Sequence, residues 1–183
     1  MFIPGKERYT KMSPQEFEQF SLRLLQDCAD TLENSTFEHD VMMSAHDGTY
    51  QIDGKITFSY MGLDFVCLVE CKRYMGPIKR EKVAELYAKM QSLGAQKGIF
   101  VTTSYYQTGA MLFAKEHGIA LIIITDEGMT YETRSEDVQE IHLPINGSMF
   151  VSVMTEATSE NCIRCHYLFG RNSDALVDYL LTQ

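Results

Sequence analysis

No stretch of the 183 residues approaches the roughly 18 consecutive apolar side chains that a membrane-spanning helix needs. The first residues, Met1-Phe2-Ile3-Pro4-Gly5-Lys6-Glu7, lack the apolar core of an export signal. A soluble, cytoplasmic protein is the expectation. Positive charge is also scarce: 16 Lys and Arg face 25 Asp and Glu, for a net charge of −9, which excludes general adhesion of the surface to nucleic acid. It leaves room for a local basic patch. Five cysteines, an odd number unevenly spaced, do not make a disulfide framework and fit a reducing compartment. Neither internal repeats nor low-complexity segments occur.

With 45% hydrophobic residues at this length, one domain with a real core is expected, together with a small appendage. Ser13-Pro14-Gln15-Glu16 carries three agreeing helix-start signals: an N-cap serine, proline at the first helical position and a capping-box glutamate. The helix runs on to about Leu32, with Phe17, Phe20, Leu24 and Leu25 on one face. Three strands follow, around 37–45, 50–58 and 65–72, turning at His46-Asp47-Gly48 and at Met61-Gly62. A helix over 79–93, stopped by Gly94, leads to a short buried strand, 98–103. A second helix, 108–117, precedes another buried strand, 119–124. Such strand-helix-strand units predict parallel neighbours, so the fold class is α/β: a mixed sheet flanked by helices, with an antiparallel meander at one side. Character changes after Asp126, giving a core over 1–127 and a C-terminal extension over 128–183. The extension reads as a hairpin around Asn146-Gly147 and a last helix capped by Asn172.

The chemistry concentrates in the meander. Phe65-Val66-Cys67-Leu68-Val69 is apolar at every position and reads as a strand covered on both faces. It ends in Glu70-Cys71-Lys72, and alternation points Glu70 and Lys72 the same way. Burying those charges costs several kcal/mol per ion, roughly, unless they are paired or hold a metal. In the preceding strand Ile52, Ile56 and Phe58 share one face, and Asp53, Lys55 and Thr57 the other. With Met61 and Gly62 as the loop, Tyr60 faces Leu63, and counting outward sets Asp53 opposite Glu70. Cross-strand partners lie about 5 Å apart at Cβ, where two carboxylates repel unless a divalent cation sits between them. Lys72, Arg73, Lys79, Arg80 and Lys82 follow closely, as phosphate contacts or as a solvated helix start.

Acids in the meander with Glu-x-Lys at its centre, in this order of elements, resemble the PD-(D/E)xK nuclease superfamily and within it the Mrr-like restriction endonuclease domain. The resemblance covers residues 13–125. Phe17-Glu18 is similar to the family's helix glutamate, Gln51-Ile52-Asp53 to its motif aspartate, and Val69-Glu70-Cys71-Lys72-Arg73-Tyr74 to its ExK strand. Gly98-Ile99-Phe100-Val101-Thr102-Thr103, then Ala110 and Ala114, then Gly118-Ile119-Ala120-Leu121, resemble its closing strand-helix-strand. This implies a restriction-endonuclease-like fold and an endonuclease that hydrolyses DNA phosphodiesters with Mg²⁺ or Mn²⁺. On that reading Asp53, Glu70 and the backbone carbonyl of Cys71 hold the metal, and Lys72 and Glu18 complete the catalytic set. Gln51, Arg73 and Lys79 contact substrate, and a homodimer suits double-strand cutting. Mrr-like enzymes usually carry a separate DNA-binding domain, and the residues before Ser13 are too few for one, so a partner protein is expected to supply targeting. A second reading keeps the fold without the chemistry: a catalytically silent binding or assembly module. Cys162-Ile163-Arg164-Cys165-His166 matches a c-type haem attachment pattern, but no export signal or axial methionine accompanies it.

Overall fold

The computed structural model describes residues 12–29, 32, 34–126, 150–159, 162–168 and 174–181. Among these, seven strands form one sheet, ordered β1 (Thr36–Ala45), β2 (Gly48–Tyr60), β3 (Leu63–Lys72), β4 (Lys97–Thr102), β5 (Ile119–Asp126), β6 (Phe150–Ser159) and β7 (Cys162–Leu168). Each strand lies beside its neighbour in sequence. The β1-β2-β3 meander is antiparallel, and β3, β4 and β5 run parallel. Their crossovers are α2 (Arg80–Leu93) and α3 (Thr108–Glu116), because a parallel return needs a long connection that a helix supplies. The Met61-Gly62 turn has both central φ angles positive, +51° and +78°, matching the twist of a tight hairpin, and it pairs Tyr60 with Leu63 as expected.

Both faces of the sheet are covered. Cys67, Val69 and Cys71 of β3 meet Phe17, Leu22 and Leu25 of α1 (Pro14–Cys28), joined there by Leu176 and Leu180 of α4 (Asp174–Leu181). Leu68 of β3 meets Val83, Leu86 and Met90 of α2 and Ala110 and Ala114 of α3 on the opposite face. Side chains as buried as Phe17, Leu68 and Ile99 contribute about 1.5–3 kcal/mol each. The mixed, helix-flanked sheet expected from the order of elements is therefore present.

At α1 the capping box forms as read: Glu16 N–H donates to Ser13 Oγ, and Ser13 N–H to Glu16 Oε2. The helix stops at Cys28 rather than near Leu32. Its last turn tightens, with the Ala29 N–H shared between the Leu25 and Gln26 carbonyls, and Leu32 keeps its buried place through a further turn bonded to Ala29 O. The buried face centres on Phe17, Ser21, Leu25 and Cys28, leaving Phe20 and Leu24 only partly covered. Gly94 ends α2 with φ +65°, as expected.

Asn146-Gly147, Asn172 and the expected boundary at 127/128 lie outside the described residues. Beyond that boundary β6 pairs antiparallel with β5, and β7 with β6, so these strands continue the sheet. The Cys162-to-His166 segment forms part of β7.

Where α1 crosses β2, a Cβ added at Gly54 would lie 2.4 Å from Leu22 Cδ2 and 3.0 Å from Leu22 Cγ. Gly54→Ala should cost about 1–3 kcal/mol by overpacking. Urea denaturation checks this: most of the cost should vanish in a Leu22→Ala background, and an unchanged cost there would show that the α1–β2 contact is not its origin.

Candidate active site

The site opens where the sheet comes apart. The β2–β3 ladder runs from Tyr60↔Leu63 to Gly54↔Val69 and ends one residue before Asp53 would meet Glu70. On the other side of β2 the register passes from His39↔Gly54 to Val41↔Ile52, skipping Asp40 and Asp53. Asp40 adopts φ +53°, a left-handed conformation that costs a non-glycine residue about 1–3 kcal/mol. β2 changes sides here. Ile52 packs with the α2–α3 cluster, whereas Ile56 and Phe58 pack with α1, which corrects the expectation that these three share a face. The reason is this interruption, because strict alternation holds only along a continuous ladder.

Asp53 fills the gap with its side chain. The Cys71 N–H donates to Asp53 Oδ2 at 2.9 Å, so a carboxylate replaces a ladder acceptor and is fixed against β3. Lys72 Nζ donates to the same oxygen at 3.0 Å and lies 2.6 Å from Glu70 Oε1. Asp53, Glu70 and Lys72 thus meet around one ammonium. Glu70 is buried, at 7% exposure, and its second oxygen accepts from Lys89 Nζ of α2 at 2.8 Å. Burial alone would push the Glu70 carboxyl up, but Lys72 and Lys89 outweigh it and hold the acid below its ordinary range. Burial likewise opposes the charged form of Lys72, yet Glu70 and Asp53 raise its affinity for the proton, so Lys72 is an ammonium here. The Cys71 thiol, buried and facing the Asp53 charge, is pushed well above its usual value and is inert as a thiolate.

Glu18 of α1 sits at the edge of this group. Its carboxylate bonds His39 Nε2 at 3.0 Å. Burial pushes its acid up; the Asp53 charge adds to this, while His39 and Lys72 act against it. Gln51 is not drawn into the cluster: its side-chain amide donates to Asp40 Oδ1 at 2.6 Å, supporting the kinked strand, and its backbone carbonyl accepts from Lys89 Nζ at 3.3 Å. Arg73 is exposed just past β3. Lys79 is the N-cap residue of α2 and lines a cleft of about 540 Å³ with Tyr74, Pro77, Ile78 and Lys82.

Lys89, His39 and Asp40 were not identified from the sequence. For Lys89 a signal existed: it stands three residues after buried Leu86 and one before buried Met90, at the edge of the helix's apolar stripe. Asp40 gave none, since its importance lies in a backbone angle.

Two hard carboxylates reaching one point suit an oxygen-preferring divalent ion such as Mg²⁺ or Mn²⁺. Among the described residues no group of three or more His, Cys, Asp or Glu side chains is assembled as a cage, and ammonium groups stand beside the acids. The donor set fits the ion, provided that backbone or solvent oxygens supply the remaining positions.

A helix-flanked mixed sheet with an antiparallel β1-β2-β3 meander and parallel β3, β4 and β5 is the architecture of a restriction-endonuclease-like domain. The chain belongs to the Mrr_cat restriction endonuclease family, whose model matches residues 9–126. It is 28% identical over 117 residues to the type IV methyl-directed restriction enzyme EcoKMrr of Escherichia coli K12, a match spanning 63% of this chain and 37% of that protein. Among solved structures, the protein of unknown function AF1548 aligns with TM-score 0.47 and 18% identity over 57% of this chain and 54% of its own. The DNA modification-dependent restriction endonuclease AspBHI aligns with TM-score 0.43 and 20% identity over 61% of this chain and 29% of its own. Among the described residues no helix is long and apolar enough to cross a membrane.

The depressed Glu70 acid links the cluster to pH. A carboxyl bound below its unfolded value adds stability above that value and loses it as pH falls through the folded one. Stability should therefore drop below about pH 4.5. Glu18, shifted the other way, partly offsets the loss, since its protonation favours the fold. Urea midpoints measured across this window should fall less steeply for Glu70→Gln than for wild type. Parallel curves would mean that Glu70 is not held as an anion.

Proposed function

We propose that this chain is a divalent-metal-dependent endonuclease that hydrolyses DNA phosphodiester bonds. The observation that carries the reading is the convergence of Asp53 Oδ2 and Glu70 Oε1 on Lys72 Nζ, at 3.0 and 2.6 Å, at the opening of the sheet. Asp53, Glu70 and the Cys71 carbonyl would hold Mg²⁺ or Mn²⁺, which supplies neutralisation of phosphate charge and polarises the phosphorus centre. Lys72, charged in this setting, donates hydrogen bonds that orient the attacking water or steady the growing negative charge. Glu18, with His39 behind it, stands within electrostatic reach of Asp53 and Lys72 and takes part in aligning that water. Arg73, Lys79 and Lys82 lie along the exit of β3 and the start of α2, where they contact the phosphate backbone. Gln51 acts through the strand, by holding Asp40.

DNA as the target is supported by membership of a restriction endonuclease family and by the match to the type IV enzyme, of whose length this chain spans about a third. Double-strand cutting with one centre per chain calls for two copies, and with a net charge of −9 a partner protein or an added domain supplies the main DNA affinity. The silent-module reading draws support from one observation: both Glu70 oxygens are already occupied by ammonium groups.

Plasmid cleavage with Mg²⁺ or Mn²⁺, against a chelator control, separates the two. Asp53→Asn and Lys72→Met should each lower divalent-dependent cleavage by about 100-fold or more, with a cooperative thermal transition still present at a lowered midpoint. Cutting at the wild-type rate by Asp53→Asn, or chelator-resistant cutting by the wild type, would contradict the proposal.

A further inference from the structure

Lys89 is the member of the cluster that the proposed chemistry leaves unused. It projects from the middle of α2, on the flank of a stripe whose Leu86 and Met90 are buried. Its ammonium is 2.8 Å from Glu70 Oε2 and 3.3 Å from the Gln51 carbonyl, with the side chain 24% exposed. Lys72 takes the other Glu70 oxygen and Asp53 Oδ2. Two carboxylates and two ammonium groups therefore cancel, and no oxygen of Glu70 is without a cation. A divalent ion entering such a site has to displace one ammonium. Lys72 is tied to two carboxylates, whereas Lys89 has one, plus a long contact to a neutral carbonyl. Both stems are flexible and partly exposed, so the count of carboxylate partners decides, and Lys89 is the group that can leave.

We infer that Lys89 is a resident counter-cation on Glu70 that competes with the divalent ion and, once displaced, is free to bind a phosphate of the DNA. This rests on the nuclease reading above and adds a coupling to it. Without DNA, the ion replaces an existing favourable pair and leaves the site carrying excess positive charge. With a phosphodiester present, both the ion and the released ammonium find an anion. Ion and DNA then strengthen each other's binding by the same factor, as linkage requires. The arrangement keeps the centre folded and neutral until substrate arrives.

The test is calorimetric titration of Mn²⁺ into the protein alone, which reads binding rather than turnover. Lys89→Gln and Lys89→Met should bind Mn²⁺ roughly tenfold more tightly than wild type, because the competitor is gone. Lys89→Arg, which keeps a cation there, should stay near the wild-type affinity. Unchanged or weaker affinity in both neutral variants, in a protein whose Mn²⁺ binding is lost in Asp53→Asn, would overturn the role of Lys89 and leave the nuclease reading standing. Absence of Mn²⁺ binding in wild type and in both neutral variants would overturn both.

Discussion

The structure around the candidate site depends on one ammonium group shared by two carboxylates. Lys72 lies between Asp53 and Glu70 and is the one group that bonds both acids, with the Cys71 N–H holding Asp53 and Lys89 holding Glu70 from the other side. A buried carboxylate at Glu70 is tolerable only because cations sit on it, and removing one partner of a buried pair costs about 3–5 kcal/mol. The backbone is arranged to suit. β2 leaves β3 after Gly54, β1 bends at Asp40, and the freed Cys71 N–H is returned to a hydrogen bond by the Asp53 side chain. Opening the sheet and positioning the acid are one event.

Much of this was legible in the chain. The Met61-Gly62 turn fixed the β2–β3 register, and a two-residue periodicity then carried Asp53 to the level of Glu70 over seven ladder pairs. The helix starts and stops at Ser13 and Gly94 were local chemistry, readable from a few side chains. What was not legible depended on tertiary context. Alternation along β2 predicted one face for Ile52, Ile56 and Phe58, and failed because a left-handed Asp40 on the neighbouring strand interrupts the ladder. Lys89 is not legible in the sequence because a lysine on a helix ordinarily faces solvent; the packing of α2 on the Glu70 face of β3 turns it inward.

The second ammonium changes what the cluster means. With Lys72 alone, Asp53 and Glu70 would leave a net negative site, a strong trap for any cation in the medium. With Lys89 added, the same residues form a closed set of ion pairs that needs no further cation to balance the two acids. A binding module and an enzyme at rest look alike in this state, and the difference between them lies in what happens when a divalent ion and a phosphate arrive together. The net charge of −9 is compatible with the proposed phosphate contacts, which need only a local group of basic side chains at the end of β3 and the start of α2.

A crystal of the protein soaked in Mn²⁺ with a short DNA duplex, with anomalous scattering recorded, addresses the central claim most directly. The account predicts a manganese peak about 2.0–2.4 Å from carboxylate oxygens of both Asp53 and Glu70. Manganese elsewhere on the protein, with the Asp53–Lys72–Glu70 pairs intact beside bound DNA, would contradict it.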